Sequence, residues 1–131
     1  MVSLLIISHG DIGSALVSAA TTMLEVCPLK TEVIDVHPES NTEEILEHAY
    51  SLVNELNDGD GVLVLTDMYG STPSNIACKL QQYENVRVIG GLNLPMLIRV
   101  LNYPNLNLDQ LVEKALSGGK DGVLTCQIDR S

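Results

Sequence analysis

The chain of 131 residues has the length of one ordinary domain, and we expect a single domain over residues 1–131. Lys and Arg number 7 against 17 Asp and Glu, which gives a formal net charge of −10. Such a surface repels phosphate backbones and anionic lipid head groups, so nucleic acid and membrane surfaces are poor partners. Phe and Trp are absent, and the core must therefore be built from aliphatic side chains.

The first predicted element is a buried strand over Val2–Ile7, an apolar run that ends at a polar, glycine-bearing stretch. This run is too short for a membrane span or a signal peptide core, and no basic segment precedes it. We therefore expect a cytoplasmic protein without direct membrane insertion. Apolar residues at helical spacing from Ile12 to Leu24 predict a helix that ends before Pro28.

The same alternation of strand and helix recurs along the chain. Thr31–Val36 predicts a second strand, and Ile45–Leu56 a helix whose start suits a capping box of Asn41 and Glu44. Val62–Thr66 is apolar until its last residue, which is typical of a strand covered on both faces.

The later part of the chain continues the alternation of strand and helix. Thr72 and Pro73 suit the N-cap and the first position of a third helix that extends to Leu80. Beyond it we predict a fourth strand, two helices and a last edge strand, at Val86–Ile89, Pro95–Leu101, Leu108–Leu116 and Gly122–Cys126. Four such alternations predict an α/β fold, a doubly wound and mainly parallel sheet with helices on both faces.

Two reactive residue types fall where ligands bind in such sheets, outside the carboxyl ends of the strands. His9 follows the first strand and Asp67 the third, and a strand order of 2-1-3-4 makes these strands neighbours. A carboxylate that holds one ring nitrogen as N–H leaves the other as an outward-facing lone pair. That nitrogen can attack phosphorus and form a reversible phosphohistidine, with no metal and no cofactor required.

A phosphoryl anion needs hydrogen-bond donors, and the loop after the third strand offers them. Gly70, Ser71 and Thr72 lead into a helix whose N-terminus supplies backbone N–H groups, and Asn75 adds an amide donor. Gly10 stands beside His9 at the same edge. A companion loop with Asn93 and Pro95 follows the fourth strand, and we interpret it as a positioning or partner-contacting loop.

Each of these features also has a purely structural interpretation. Thr72-Pro73 can simply start a helix, and Asp67 can simply end a strand. His37 could share the crevice because it also follows a strand end, but a solvated loop residue is the simpler interpretation. His48 is expected on the solvent side of a helix. The coincidence of His9 and Asp67 at one edge favours a functional pair.

Three ordered blocks resemble the mannose-type (mannose, fructose and sorbose) IIA family of the bacterial sugar phosphotransferase system. They are Ile6 to Gly10, Val64 to Asn75, and Gly91 to Met96, and the likeness spans nearly the whole chain. The resemblance implies that His9 accepts phosphate from the phosphocarrier HPr and donates it to a IIB component, with Asp67 as the orienting carboxylate. It also implies sheet order 2-1-3-4 and a homodimer in which an antiparallel edge strand, here Gly122–Cys126, is exchanged.

One departure from the family pattern is Ser71, which stands where the family commonly has a second glycine. Three alternatives remain open at this point. The phosphotransfer subunit of dihydroxyacetone kinase shares the fold and the N-terminal histidine, but its middle block differs. A histidine phosphatase needs arginines that are absent around His9, and a nucleotide-binding regulatory module lacks its glycine motifs.

Overall fold

In the computed structural model, which describes residues 1–129, strands and helices alternate in the predicted order. A 3₁₀ turn, Leu80–Gln82, follows the third helix. The elements are β1 Ser3–His9, α1 Ile12–Leu24, β2 Thr31–Val36, α2 Thr42–Leu56, β3 Val62–Thr66, α3 Thr72–Lys79, β4 Val86–Ile89, α4 Leu94–Leu101 and α5 Leu108–Asp121.

The four strands form one parallel sheet in the order β2-β1-β3-β4, which confirms the prediction. Ile7 lies opposite Ile34 of β2 on one side and opposite Thr66 of β3 on the other. The carboxyl ends of β1 and β3 therefore lie side by side. This register brings the loops after the two strands to one edge of the sheet.

Helices cover both faces of the sheet, as a doubly wound fold requires. Leu4 and Ile6 of β1 belong to the core on the side of α1, α4 and α5, whereas Leu5 and Ile7 belong to the core on the side of α2 and α3. Because α1 and α3, which follow β1 and β3, pack on opposite faces of the sheet, a crevice opens between the loops after these two strands.

Helix starts agree with the predictions in part. The Asn41 side chain accepts hydrogen bonds from the backbone of α2, as expected, but the reciprocal capping box is found at α5, between Asn107 and Gln110. The predicted N-cap of α3 is wrong by one residue. Ser71 is the N-cap and Thr72 the first helical residue, because the chain adopts helical backbone one position earlier.

Helix α5 is longer than predicted, since it continues past Leu116 to Asp121. The extra turn contains Gly118 and Gly119, which ordinarily weaken a helix. Here they let α5 approach α4 closely: a Cβ at Gly118 would lie 2.5 Å from Cβ of Arg99. Packing against α4 therefore outweighs the low helix propensity of these glycines.

The edge strand expected at Gly122–Cys126 does not form within this single chain. Gly122 keeps nearly helical backbone angles, and within residues 1–129 no strand lies on the outer side of β4. Residues 123–129 have no strand assignment, and Val123 and Leu124 are 74% and 82% exposed. Across residues 1–129, the helices are all too short or too polar to cross a lipid bilayer.

Candidate active site at the carboxyl edge of the sheet

His9 is the last residue of β1, because the strand extends two residues beyond the predicted end at Ile7. Its neighbour Gly10 adopts φ +49°, in the left-handed region that glycine tolerates best, and this turns the chain away from the sheet. The backbone N–H of Gly10 donates to the carbonyl of Val36 at 2.8 Å. His9 is thereby fixed between the ends of β2 and β3.

Asp67 follows β3 directly and contacts His9 twice. Its Oδ2 lies 2.9 Å from Nδ1 of the His9 ring, and the same oxygen accepts the backbone N–H of His9 at 3.2 Å. The other oxygen accepts the N–H of Met68 at 3.1 Å. The structure thus brings together the two residues that the sequence pairs.

Burial and hydrogen bonding have opposite effects on the protonation of Asp67. Burial raises the pKa of Asp67, but hydrogen bonds from the His9 ring and backbone outweigh burial, so the pKa of Asp67 lies below its ordinary value. The carboxylate is therefore ionised and accepts a hydrogen bond from the Nδ1–H group, which leaves Nε2 with its lone pair in the neutral ring. The side chain of Asp67 is 11% exposed and that of His9 is 43% exposed, so a partner can reach the ring.

The loop from β3 to α3 is held by its own hydrogen bonds. Gly70 adopts φ +83°, and its N–H donates to Oγ of Ser74 at 3.2 Å. The Ser71 hydroxyl donates to the carbonyl of Met68. These groups shape the loop. Thr72 is exposed at the start of α3, where the positive end of the helix favours an anion, although Pro73 has no N–H and the N–H of Asn75 donates to the Ser71 carbonyl at 2.8 Å.

A crevice of about 300 Å³ lies beside His9. It is walled by the start of α3, through Thr72 and Pro73, and by the loop between β2 and α2. Its lining residues are His9, Gly10, Val36, His37, Pro38, Ser40, Thr42, Thr72 and Pro73. His37 is exposed, as the interpretation of a solvated loop residue requires, but it also lines the crevice.

The remaining predicted site residues lie outside this crevice. Asn75 is exposed on α3. Asn93 caps α4 by accepting the N–H of Met96 at 2.9 Å, and its amide donates to the carbonyl of Gly119 at 3.1 Å. Pro95 packs against Gly122, where a Cβ would lie 2.4 Å from Cβ of the proline. Asn93 and Pro95 thus join α4 to the end of α5.

Metal-binding side chains are not grouped at this edge. Within residues 1–129, no group of three or more His, Cys, Asp and Glu is placed to hold a metal ion. His9 and Asp67 form a pair, and the other side chains that line the crevice belong to His, Ser, Thr, Val and Pro residues.

Fold and site together define an α/β protein built around one oriented and accessible histidine. A family model described as EIIA-man, PTS system fructose IIA component, matches residues 3–116. The chain therefore belongs to this family, the mannose-type IIA components of the phosphotransferase system.

Individual relatives agree with this assignment. The mannose-specific EIIAB component of Escherichia coli strain K12 is 34% identical over 93 residues, which are 69% of this chain and 29% of that protein. The chain thus spans under a third of that relative. The mannose/sorbose-specific IIA subunit from Enterococcus faecalis has the same fold, with a TM-score of 0.87, 25% identity and coverage of 99% of this chain and 98% of that one. The transcriptional regulatory protein LevR of Bacillus subtilis strain 168 is 25% identical over 116 residues, or 86% of this chain and 12% of that protein.

The lowered pKa of Asp67 predicts how stability depends on pH. An aspartate in the unfolded chain titrates at about pH 4. The contribution of Asp67 to stability is therefore complete above that pH and is lost as the pH falls through the lowered pKa of the folded protein. We expect the free energy of unfolding to fall more steeply on acidification below about pH 5 in the wild type than in Asp67→Asn.

Urea unfolding followed by circular dichroism at several pH values measures this difference. His9→Ala removes the ring donor but keeps the backbone donor, and we expect an intermediate slope. Equal slopes for the wild type and Asp67→Asn would show that Asp67 does not ionise more readily in the folded protein.

Proposed function

We propose that this chain is a single-domain phosphoryl carrier that accepts phosphate on Nε2 of His9 from phospho-HPr and passes it to a IIB component. The 2.9 Å contact between Nδ1 of His9 and Asp67 carries the proposal, because it leaves Nε2 as the free nucleophile. In the first step a bond forms between Nε2 and phosphorus while the phosphorus–nitrogen bond in phospho-HPr breaks. The second step repeats this exchange, with the IIB component as acceptor.

The surroundings of His9 supply donors for the transferred group. Thr72 and the first turn of α3 face the crevice with a hydroxyl and backbone N–H groups, and the positive end of the helix favours an anion there. Gly10, Gly70 and Ser71 give the two loops their shape, and we assign Asn75 an amide contact at the rim. Asn93 and Pro95 are assigned to positioning, since they hold the neighbouring loop to α5.

A protein partner fits the surface around the histidine. Ile12, Met68 and Tyr69 are 46%, 58% and 79% exposed, and they lie on α1 and on the loop after β3, the two segments that flank His9. Exposed apolar side chains gathered around a reactive group are typical of a docking surface. HPr and the IIB component would both dock there in turn, in the cytoplasm.

The output of the carrier is sugar uptake or regulation. The names of its relatives cover both, since one is a mannose-specific component and another a transcriptional regulatory protein. The family match favours the sugar system over a subunit of dihydroxyacetone kinase and over a non-catalytic binding module.

We also propose a homodimer formed through the C-terminal segment. β4 lies at the edge of the sheet, so within residues 1–129 its outer side pairs with no further strand, although the Val86 carbonyl accepts a hydrogen bond from the Arg87 side chain at 3.1 Å. Val123, Leu124 and Ile128 are exposed apolar side chains in the segment that follows α5. Pairing of this segment with β4 of a second copy would cover the edge of the sheet and bury these apolar side chains.

Replacing His9 tests the phosphate acceptor. With phosphoenolpyruvate, enzyme I and HPr, we expect the wild type to gain one phosphate on His9 and His9→Ala to gain none, because among the histidines of residues 1–129 only His9 has a ring nitrogen paired with a carboxylate. Intact-mass analysis with peptide mapping measures the increment. His48→Ala, which changes an exposed histidine of α2, is the matched control and should be phosphorylated like the wild type. Phosphate on a residue other than His9 would refute the proposal.

Replacing Asp67 tests the orienting role. We expect Asp67→Ala to accept phosphate about ten- to a hundredfold more slowly with its fold intact, because the His9 ring loses the contact that selects its tautomer. Rapid-quench measurement of the initial rate, with circular dichroism as the control for folding, provides the comparison. A rate equal to that of the wild type would remove Asp67 from the mechanism.

Truncation after Gly122 tests the homodimer. We expect sedimentation equilibrium to give a dimer for the full chain and a monomer for the truncated chain, since the pairing segment is then gone. Because residues 123–129 make no strand contacts within the chain, the truncated protein should retain its circular dichroism spectrum. A full chain that sediments as a monomer would contradict the proposal.

A further inference from the structure

His37 lies next to the hydrogen bond that joins the loops after β1 and β2. The N–H of Gly10 donates to the carbonyl of Val36 at 2.8 Å, so His9 precedes one partner and His37 follows the other. His9 and Val36 are also paired across neighbouring strands, whose spacing is about 4.8 Å. Both histidines line the crevice of about 300 Å³.

The loop that carries His37 has a fixed shape. The N–H of His37 donates to Oγ of Ser40 at 3.0 Å, and the N–H of Ser40 donates back to the carbonyl of His37 at 3.0 Å. Helix α2 begins just afterwards, where the Asn41 side chain accepts two backbone N–H groups. Position 37 is therefore held at the mouth of the crevice before any ligand or partner binds.

A phosphoryl group on His9 would carry about two negative charges into a chain whose net charge is −10. Phosphate sites in proteins are commonly completed by Arg or Lys. In the part of the chain that the structure describes, none of the residues lining the crevice is Lys or Arg. Besides the His9 ring, the one nitrogen-bearing side chain in that lining is the imidazole of His37.

We infer that His37 donates a ring N–H to an oxygen of the phosphoryl group on His9 and so stabilises the phosphorylated protein. A neutral imidazole always has one N–H, so this contact does not depend on protonation. His37 and Thr72 would then hold the phosphoryl group from opposite walls of the crevice. The inference rests on the proposed function, because it requires phosphate on His9.

The equilibrium of phosphoryl exchange with HPr tests this contact. The wild type, His37→Leu and His37→Gln are each mixed with phospho-HPr and HPr at a fixed ratio, and the phosphorylated fraction is measured by intact mass. We expect the exchange constant to fall about tenfold in His37→Leu, since a donor to a charged group is lost. His37→Gln keeps an N–H donor at similar reach and should stay near the wild-type value.

The outcomes separate this inference from the proposed function. His48→Leu is the matched control and should leave the exchange constant unchanged. If the wild type takes up no phosphate on His9, the proposed function itself fails. If the wild type is phosphorylated and His37→Leu exchanges equally well, or His37→Gln falls as far as His37→Leu, only the donor role of His37 is overturned. In ¹⁵N spectra, slower exchange of the His37 ring N–H on phosphorylation supports the contact, and unchanged exchange contradicts it.

Discussion

The hydrogen bond between Nδ1 of His9 and Oδ2 of Asp67 is the interaction on which the site depends. Its partners are 58 residues apart along the chain, and only the strand order β2-β1-β3-β4 makes the ends of β1 and β3 neighbours. The carboxylate fixes both the orientation and the tautomer of the ring, and it is itself held by the backbone N–H groups of His9 and Met68. The topology of the sheet thus brings together the two residues of the candidate active site.

The negative net charge of the chain bears on which groups surround His9. An acidic chain can accept a phosphoryl group only where local donors offset the repulsion. In the proposed carrier those donors would be the first turn of α3, the hydroxyl of Thr72 and, by our inference, His37. We propose that a site of neutral donors, without Lys or Arg, would bind the phosphoryl group moderately, as a carrier that must also release it requires.

Much of the fold and the central pair could be predicted from sequence because both follow from local patterns. Apolar runs of strand length give β1 to β4, and the rule for parallel sheets places His9 and Asp67 at one edge. The length of α5 could not be predicted in this way. Gly118 and Gly119 end a helix by propensity, and only the close approach to α4 explains why the helix continues.

Local pattern predicts two further features only in part. The edge strand predicted at Gly122–Cys126 is not formed within residues 1–129, because an apolar segment of strand length does not specify which strand it pairs with. His37 has the sequence environment of an ordinary loop residue, whereas the pairing of β1 with β2 and the hydrogen bond between Gly10 and Val36 bring its loop beside His9. Contacts between loops are the feature that is hardest to predict from such a sequence.

The measurement that tests this account most directly identifies the nitrogen of His9 that carries phosphate. Long-range ¹H–¹⁵N and ³¹P–¹⁵N correlation spectra of the protein phosphorylated through HPr distinguish the two ring positions. The contact with Asp67 predicts a proton on Nδ1 and phosphorus on Nε2. Phosphorus on Nδ1 would mean that the hydrogen bond to Asp67 does not direct the reaction, and the proposed role of Asp67 would be wrong.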